Sequence, residues 1–203
     1  MFSRGKKSGW PLIKRRERHP SLANARRFYH NRGVQLYLIR HAHATAAGDD
    51  SLRPLSDRGH EECSRLVAFF QRNGALRPAQ LWHSPLVRAL ETARLLADGL
   101  KLDHALVETP GLLPEDDPSE IAGRIGKSDT IDRLALVGHE PHLSALATLL
   151  VRGKDHPVAF DLKKGAVLAF APTGGTHKKT GLPRWHLLWH IEPALLGPPP
   201  KPT

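Results

Sequence analysis

The chain has 203 residues, a formal net charge of +10 and one cysteine. This length suits one domain with a complete apolar core plus extensions, and a single cysteine excludes an internal disulfide framework and a cysteine-based zinc site. No apolar run reaches the roughly 20 residues that span a bilayer, and the N-terminus lacks the apolar core of a signal peptide, so we expect a soluble cytoplasmic protein.

The positive charge is concentrated at the N-terminus. Residues 1–32 contain 10 Lys or Arg and one acid, whereas residues 33–203 contain 20 Lys or Arg against 19 Asp or Glu. We therefore interpret residues 1–32 as a basic arm. Its charge would suit weak binding to a polyanion such as nucleic acid or acidic lipid, and a solvated extension without a specific partner explains it equally well. The arm is also Arg-rich like an organellar transit peptide, although it contains few serines.

After Gly33, short apolar runs typical of buried strands alternate with stretches at helical spacing. The pattern predicts strands at 34–39, 79–82, 105–107, 133–137, 166–171 and 185–191, and helices at 56–73, 84–99, 119–126 and 140–151. Ser56 and Ser84 are the predicted N-caps of the first two helices. Along the second helix, spacing predicts that Leu86, Leu90, Ala93 and Ala97 face inward. The segment 194–203 is proline-rich, and we predict a disordered tail there.

Strands that alternate with helices indicate an α/β fold of three layers, α/β/α, in which a mostly parallel sheet is covered on both faces. We predict one such domain at 33–193. In sheets of this kind, ligands bind beyond the carboxyl ends of the strands. Three predicted strand ends deliver Arg40 with His41, Arg88 and His139 to that edge. Their convergence is the strongest functional signal in the sequence.

These residue types suit the transfer of a phosphoryl group. Such a group carries negative charge on three equatorial oxygens, which cationic donors stabilise. A neutral imidazole can attack the phosphorus and form a phosphohistidine intermediate. Helices predicted to begin at Ser84 and Glu140 would also direct their N-terminal amides into the same pocket, which favours a bound phosphate.

Four ordered segments resemble the motifs of the histidine phosphatase superfamily, which has the phosphoglycerate-mutase-like fold. They are 38–42 (Leu-Ile-Arg-His-Ala), 53–59 (Arg-Pro-Leu-Ser-Asp-Arg-Gly), 84–93 (Ser-Pro-Leu-Val-Arg-Ala-Leu-Glu-Thr-Ala) and 137–144 (Val-Gly-His-Glu-Pro-His-Leu-Ser). The short segment between Ala93 and Arg133 is similar to SixA-type phosphohistidine phosphatases, whereas mutases and larger phosphatases insert a longer cap there. The resemblance therefore implies a minimal cap and an open site.

The resemblance also implies roles for individual residues. His41 would be the nucleophile, and Arg40, Arg88 and His139 would grip the phosphoryl oxygens. Two further assignments to substrate binding concern the rim of the site. Arg53 lies in a loop that borders the site in the family, so it either contacts phosphate or lies at the surface. Glu115 lies where many relatives keep a carboxylic acid that protonates the leaving oxygen, or it belongs to a solvated acidic turn.

Two residues depart from the family's usual pattern. Ala42 replaces the glycine that usually follows the Arg-His pair, and His43 stands where an acidic residue is common. His41 with His43, and His139 with His142, also suggest a metal centre as an alternative. We expect neither a metal nor a cofactor, because no carboxylate obviously converges there and a phosphate pocket accounts for the same residues.

We therefore expect a metal-independent phosphatase whose covalent phosphohistidine intermediate is hydrolysed by water. The resemblance to SixA suggests phosphohistidine on a signalling protein, such as a histidine-phosphotransfer domain, as the substrate. A small-molecule phosphoester or nucleotide phosphatase of the same superfamily is one alternative, which a functional Glu115 would favour. A catalytically silent module whose basic arm docks on a polyanion is the other.

Overall fold

A computed structural model describes residues 35–46, 48–102, 106–127 and 132–198. The predicted basic arm at 1–32 and residues 199–203 of the predicted tail lie outside the described residues. The first residues of the predicted tail, 194–198, include the end of one 3-10 turn, Pro193–Leu195. In the part of the chain that the structure describes, no helix is both long and apolar enough to cross a membrane.

The described residues form six strands and four α-helices in the alternating order that the sequence predicts. The strands are β1 (Gln35–Arg40), β2 (Gln80–His83), β3 (Leu106–Glu108), β4 (Arg133–Gly138), β5 (Val167–Thr176) and β6 (Pro183–Ile191). The helices are α1 (Asp57–Asn73), α2 (Val87–Leu100), α3 (Pro118–Gly126) and α4 (His142–Arg152). A 3-10 turn, Asp50–Leu52, lies between β1 and α1.

All six strands form one sheet in the order β3-β2-β4-β1-β5-β6. The four strands from β3 to β1 are parallel, and β5 and β6 each run antiparallel to their preceding neighbour. The mostly parallel α/β architecture is thereby confirmed. Only six residues connect β5 to β6, and so short a connection permits only antiparallel pairing.

Two apolar layers cover the two faces of the sheet. Alternate residues of β1 divide between them, since Leu36 and Leu38 pack with residues of α3 and α4, whereas Tyr37 and Ile39 pack with residues of α1 and α2. Because side chains alternate across a strand, a strand buried on both faces must be continuously apolar. The predicted three-layer arrangement is therefore confirmed.

The ends of α1 follow the signals in the sequence. Ser56 is its N-cap, with its hydroxyl accepting from the Gly59 amide, and Gly74 ends the helix in the left-handed conformation. Cys63 on this helix packs with Ala42 and Leu55, and burial raises the pKa of its thiol to about 12. Cys63 is therefore a packed, protonated core residue.

The inward face predicted for α2 is confirmed at Ala93 and Ala97, but the buried face as a whole is rotated from the predicted one. Leu86 and Leu90 are only partly buried, and the helix begins at Val87 rather than Ser84. The buried residues of α2 are Arg88, Ala89, Thr92, Ala93, Leu96 and Ala97. The rotation turns Arg88 and Thr92 toward the carboxyl edge of the sheet, where both bond to loops outside α2.

Gly59 allows α1 to approach the loop that follows β1. A Cβ atom at this position would overlap the carbonyl oxygen of His43. We therefore predict that Gly59→Ala lowers the free energy of unfolding by about 1–3 kcal/mol, because backbone must shift to admit the methyl group.

Gly123→Ala is the matched control, since Gly123 is also helical and an added Cβ would meet nothing within 4 Å. This change should stabilise the protein by about 0.5–1 kcal/mol through helix propensity alone. Urea denaturation measures both effects. Equal stabilisation by the two alanines would contradict the close approach.

Candidate functional site

The carboxyl ends of β1, β2 and β4 are joined by backbone hydrogen bonds beyond the regular sheet. The His41 amide donates to the Gly138 carbonyl at 3.0 Å, and the Ser84 amide donates to the Val137 carbonyl at 3.0 Å. The first residues after all three strands are thereby fixed next to one another. Because the side chains that follow the strands share one edge, a site can form there from segments far apart in sequence.

Two buried histidines lie at the centre of this edge. The rings of His41 and His139 are 4.9 Å apart between centroids, and the residues are 7% and 1% exposed. Nδ1 of His41 is 2.7 Å from the carbonyl oxygen of Ala42. Since a carbonyl oxygen only accepts, Nδ1 must carry the ring hydrogen in this contact. Nε2 of His41 is then left with its lone pair.

The surroundings of His41 keep its ring neutral. Burial, together with the positive charges of Arg88, Arg40 and Lys164, lowers its pKa to about 4, against the opposing effect of the Ala42 carbonyl. Both causes disfavour an imidazolium ion. At neutral pH the ring is therefore an uncharged base with a free Nε2, the form that can attack an electrophile.

His139 is held by Ser84. Its Nε2 lies 2.8 Å from the Ser84 hydroxyl, and burial, followed by electrostatic effects of the neighbouring His41 and Arg88, lowers the pKa of His139 to about 3. Ser84 was predicted to be the N-cap of α2, and that prediction is wrong. Leu86 occupies the cap position without a side-chain bond, and Ser84 is fully buried against His139.

The fourth helix also begins later than predicted. It starts at His142, with Pro141 at the cap position, rather than at Glu140. The Leu143 amide, in its first turn, already donates to the His139 carbonyl at 2.9 Å. This bond ties the first turn of α4 to the segment that carries His139.

Arg40 is anchored by the segment before β5. Its Nη1 donates to the Leu162 carbonyl at 2.6 Å, and the Gly165 amide donates to the His41 carbonyl at 3.1 Å. Residues 162–166 therefore fold around the Arg40-His41 pair, and we call them the β5 approach loop. Sequence reasoning missed this loop, because nothing in its composition links it to a segment more than 120 residues away.

Arg88 is buried and bound to Asp50. It is only 5% exposed, its Nη1 donates to the Asp50 carbonyl at 2.6 Å, and its Nη2 lies 3.0 Å from the Asp50 carboxylate. The carboxylate of Asp50 also contacts Nη1 of Arg53 at 2.8 Å. Arg53 and Arg88 hold the pKa of Asp50 below its ordinary value, so this exposed side chain is ionised. The Asp50 carboxylate thus contacts the Arg88 guanidinium, which is predicted to bind the phosphoryl oxygens.

The structure brings Arg40, His41, Arg88 and His139 together, as their positions in the sequence predict. Arg53 lies beside this group, with its Nε bonded to the Thr45 carbonyl at 2.6 Å and one Nη on Asp50. The catalytic and binding roles of these residues stay predictions.

Glu115 is placed differently. It is exposed, and it makes no hydrogen bond or ion pair with the described residues. Its neighbours Asp116 and Asp117 are both engaged, Asp116 with the Leu113 amide and Asp117 as the cap of α3. This arrangement is that of an acidic turn, and a role for Glu115 as proton donor stays a prediction.

The two departures from the family's pattern fit the structure without strain. Ala42 is fully buried, and its amide donates to the Thr92 hydroxyl at 3.1 Å. Its φ is not positive, because Lys101 is the one non-glycine residue with positive φ among the described residues. The amide of His43 donates to Glu62, and its Nδ1 lies 2.8 Å from the Ser56 hydroxyl. His43 therefore joins the loop that follows His41 to α1. Among the described residues, no group of three or more His, Cys, Asp or Glu side chains is placed to hold a metal ion.

A comparison with known families supports the resemblance of the motifs. The family model described as the histidine phosphatase superfamily (branch 1) matches residues 36–113, which include Arg40, His41 and Arg88. Residues 36–113 of the chain are therefore similar to this superfamily. A comparison with curated protein sequences gives no significant match.

Several solved structures share the fold. The protein histidine phosphatase SixA complexed with tungstate is 22% identical, with a TM-score of 0.67 over 79% of this chain and 98% of that chain. The putative phosphohistidine phosphatase SixA from Agrobacterium tumefaciens is 19% identical, with a TM-score of 0.63 over 78% of this chain and 97% of that one. The α-ribazole phosphatase from Shigella flexneri is 16% identical, with a TM-score of 0.58 over 76% and 95%. At these identities the likeness establishes the fold.

The two neutral histidines make a prediction for stability against pH. Their pKa values are lowered from 6.5 to about 4 for His41 and about 3 for His139. Below pH 6.5 the unfolded chain binds protons that the folded protein does not, so the free energy of unfolding falls as the pH drops from about 6.5 toward 4. His41→Gln should reduce this slope by about 1 kcal/mol per pH unit.

Urea denaturation at several pH values between 7 and 4 measures the slope. His60→Gln is the control, because His60 is exposed on α1. A His41→Gln slope that equals the wild-type slope would show that His41 is not held neutral by the fold.

The ion pair between Asp50 and Arg88 makes a second prediction. Asp50→Asn removes the carboxylate that competes for the guanidinium, so it should tighten orthophosphate binding about three- to fivefold and lower the thermal midpoint. Calorimetry with orthophosphate measures the first effect. Asp49→Asn is the control, since Asp49 bonds Ser51 and contacts no arginine among the described residues. Weaker orthophosphate binding in Asp50→Asn would mean that Asp50 positions Arg88 for the anion instead of competing with it.

Proposed function

We propose that the protein is a phosphatase that works through a phosphohistidine on Nε2 of His41. The observation that carries the proposal is the neutral His41 ring, whose hydrogen lies on Nδ1 and whose Nε2 is free, beside Arg40, Arg88 and His139. A nucleophile of this kind needs no metal ion or separate base, because it is already deprotonated at neutral pH.

The reaction has two steps. The lone pair on Nε2 of His41 forms a bond to phosphorus while the bond from phosphorus to the leaving group breaks. Arg40, Arg88 and His139 stabilise the charge on the equatorial oxygens during this transfer. Water then attacks the phosphorus, the bond between phosphorus and Nε2 breaks, and orthophosphate leaves as His41 regains its lone pair.

The Ala42 carbonyl acts between the two steps. Phosphorylation of Nε2 leaves the ring with a hydrogen on Nδ1 and a more positive imidazole. The carbonyl oxygen that accepts from Nδ1 at 2.7 Å stabilises this form. The same contact sets the orientation of the ring before attack, so one hydrogen bond serves the resting enzyme and the intermediate.

The proposed substrate is phosphohistidine on a signalling protein, presented by a partner such as a phosphorylated histidine-phosphotransfer domain. Two observations support it. The connection between α2 and β4 contains only β3, α3 and short loops among its described residues, so no large cap encloses a small molecule. Glu115 is exposed and unbonded, whereas a leaving imidazole, unlike an alkoxide, departs without a strong positioned acid.

A small-molecule phosphoester is the second candidate substrate. The fold likeness to the α-ribazole phosphatase from Shigella flexneri favours it. The two candidates separate on substrate preference, since a phosphoester requires protonation of its leaving oxygen and would make activity depend on a carboxylic acid such as Glu115.

The test compares wild type, His41→Gln and His60→Gln. Each is incubated with a phosphorylated histidine-phosphotransfer domain and with a panel of phosphoesters. His41→Gln should lose about a thousandfold or more in activity because the nucleophile is gone, whereas His60→Gln should match wild type. Brief incubation with labelled substrate should also leave acid-labile phosphate on wild-type His41.

The outcomes are separable. Full activity of His41→Gln on every substrate would refute the covalent mechanism. Turnover of phosphoesters alone would keep the mechanism and replace the substrate. Hydrolysis of neither class by the wild type would leave a binding module, the alternative in which the basic arm at 1–32 does the docking.

A further inference from the structure

The β5 approach loop places a lysine beside the nucleophile. The Leu162 carbonyl accepts a hydrogen bond from the Arg40 guanidinium, and the Gly165 amide donates to the His41 carbonyl. The carbonyl of Ala166 accepts from the Arg40 amide at 3.0 Å. Lys164 lies within this short segment, next to the residue that touches His41. Its backbone is therefore fixed to the catalytic edge from both sides.

Gly165 keeps the loop in this position. Its φ is +72°, in the left-handed region that favours glycine, and an added Cβ would lie 2.7 Å from Cγ of Pro193. The turn is closed by the Ala166 amide, which donates to the Lys163 carbonyl at 2.9 Å. The backbone that carries Lys164 is thus set by conformation, packing and hydrogen bonding together.

The two adjacent lysines of the loop have different surroundings. Lys163 is 61% exposed at its side chain and forms an ion pair with Asp161 at 2.6 Å. Lys164 is half-buried and has no hydrogen bond or ion pair with the described residues. Burial, followed by the charges of Arg40 and Arg53, lowers the pKa of Lys164, while Glu62 acts in the opposite direction. Lys164 is therefore a partly buried positive charge close to other positive charges, and a bound anion would reduce the repulsion between them.

Arg53 is less available than Lys164 to bind an anion. Its Nε donates to the Thr45 carbonyl and one Nη contacts Asp50, so its charge is already compensated. One Nη hydrogen of Arg40 is likewise already donated to the Leu162 carbonyl. Lys164, by contrast, can direct all three ammonium hydrogens to a ligand.

We propose that Lys164 binds the phosphoryl group directly, as a cationic contact additional to Arg40, Arg88 and His139. The proposal rests on the proposed function of the same site. Lys164 supplies a compact positive charge from the β5 side, the part of the site that the four sequence motifs do not cover. In the free protein, the charge of Lys164 also helps to keep His41 neutral and able to attack. In the complex, the same charge compensates the negative charge of the bound phosphoryl group.

The experiment compares Lys164→Met with Lys163→Met, because methionine keeps an unbranched apolar stem and the two lysines are adjacent. Orthophosphate binding is measured by calorimetry, and kcat and KM are measured on the substrate that the wild type hydrolyses. Lys164→Met should weaken orthophosphate binding about tenfold or more, since a charge-assisted contact is lost. Lys163→Met should stay within about twofold of wild type, and Lys164→Arg should recover most of the affinity.

The failures of the two proposals can be told apart. Weaker orthophosphate binding in Lys164→Met supports the contact even if the wild type hydrolyses no substrate, which would refute the phosphatase proposal alone. Wild-type orthophosphate binding by Lys164→Met in an active enzyme would refute the contact alone. An equal loss in Lys163→Met would also overturn it, because general surface charge would then explain both variants. Unchanged thermal midpoints would show that the variants are folded.

Discussion

The parallel pairing of β4 with both β1 and β2 is the constraint on which the site depends. In this register Arg40 lies opposite Gly138, and His83 lies opposite Val137, so the three strands end together. The residue that follows each strand then falls at a common edge. Backbone hydrogen bonds from His41 and Ser84 to β4 extend the alignment beyond the sheet. A slip of one residue would turn the apolar side chains of β1 to the opposite layers and separate the two central histidines.

Burial at this edge determines the chemistry. A histidine in water is half protonated near pH 6.5, whereas His41 lies among cations in a dry environment and stays neutral. The same crowding of Arg40, Arg88 and Lys164 is unfavourable in the free protein. Asp50 offsets part of it through Arg88. Under the proposed function, a bound phosphoryl group would compensate part of this charge, so relief of the repulsion would favour anion binding.

Much of the fold and part of the site are readable from the sequence. Continuous apolar runs predict buried strands, and the cap at Ser56 predicts where α1 begins. The predicted N-cap at Ser84 is wrong because the Ser84 hydroxyl bonds His139. This partner lies 55 residues away, and rules based on neighbouring residues do not include it. Asp50 and Lys164 were missed for the same reason. Both lie in loops without periodicity, and their proximity to Arg88 and Arg40 arises only when distant segments pack.

The central claim is that His41 is neutral and carries its hydrogen on Nδ1, which leaves Nε2 as the nucleophile. Nitrogen-15 NMR of the histidine side chains in the free protein at pH 7 measures both properties directly. The account predicts a neutral His41 ring with a protonated Nδ1 and an unprotonated Nε2. An imidazolium ion, or a neutral ring with its hydrogen on Nε2, would contradict it.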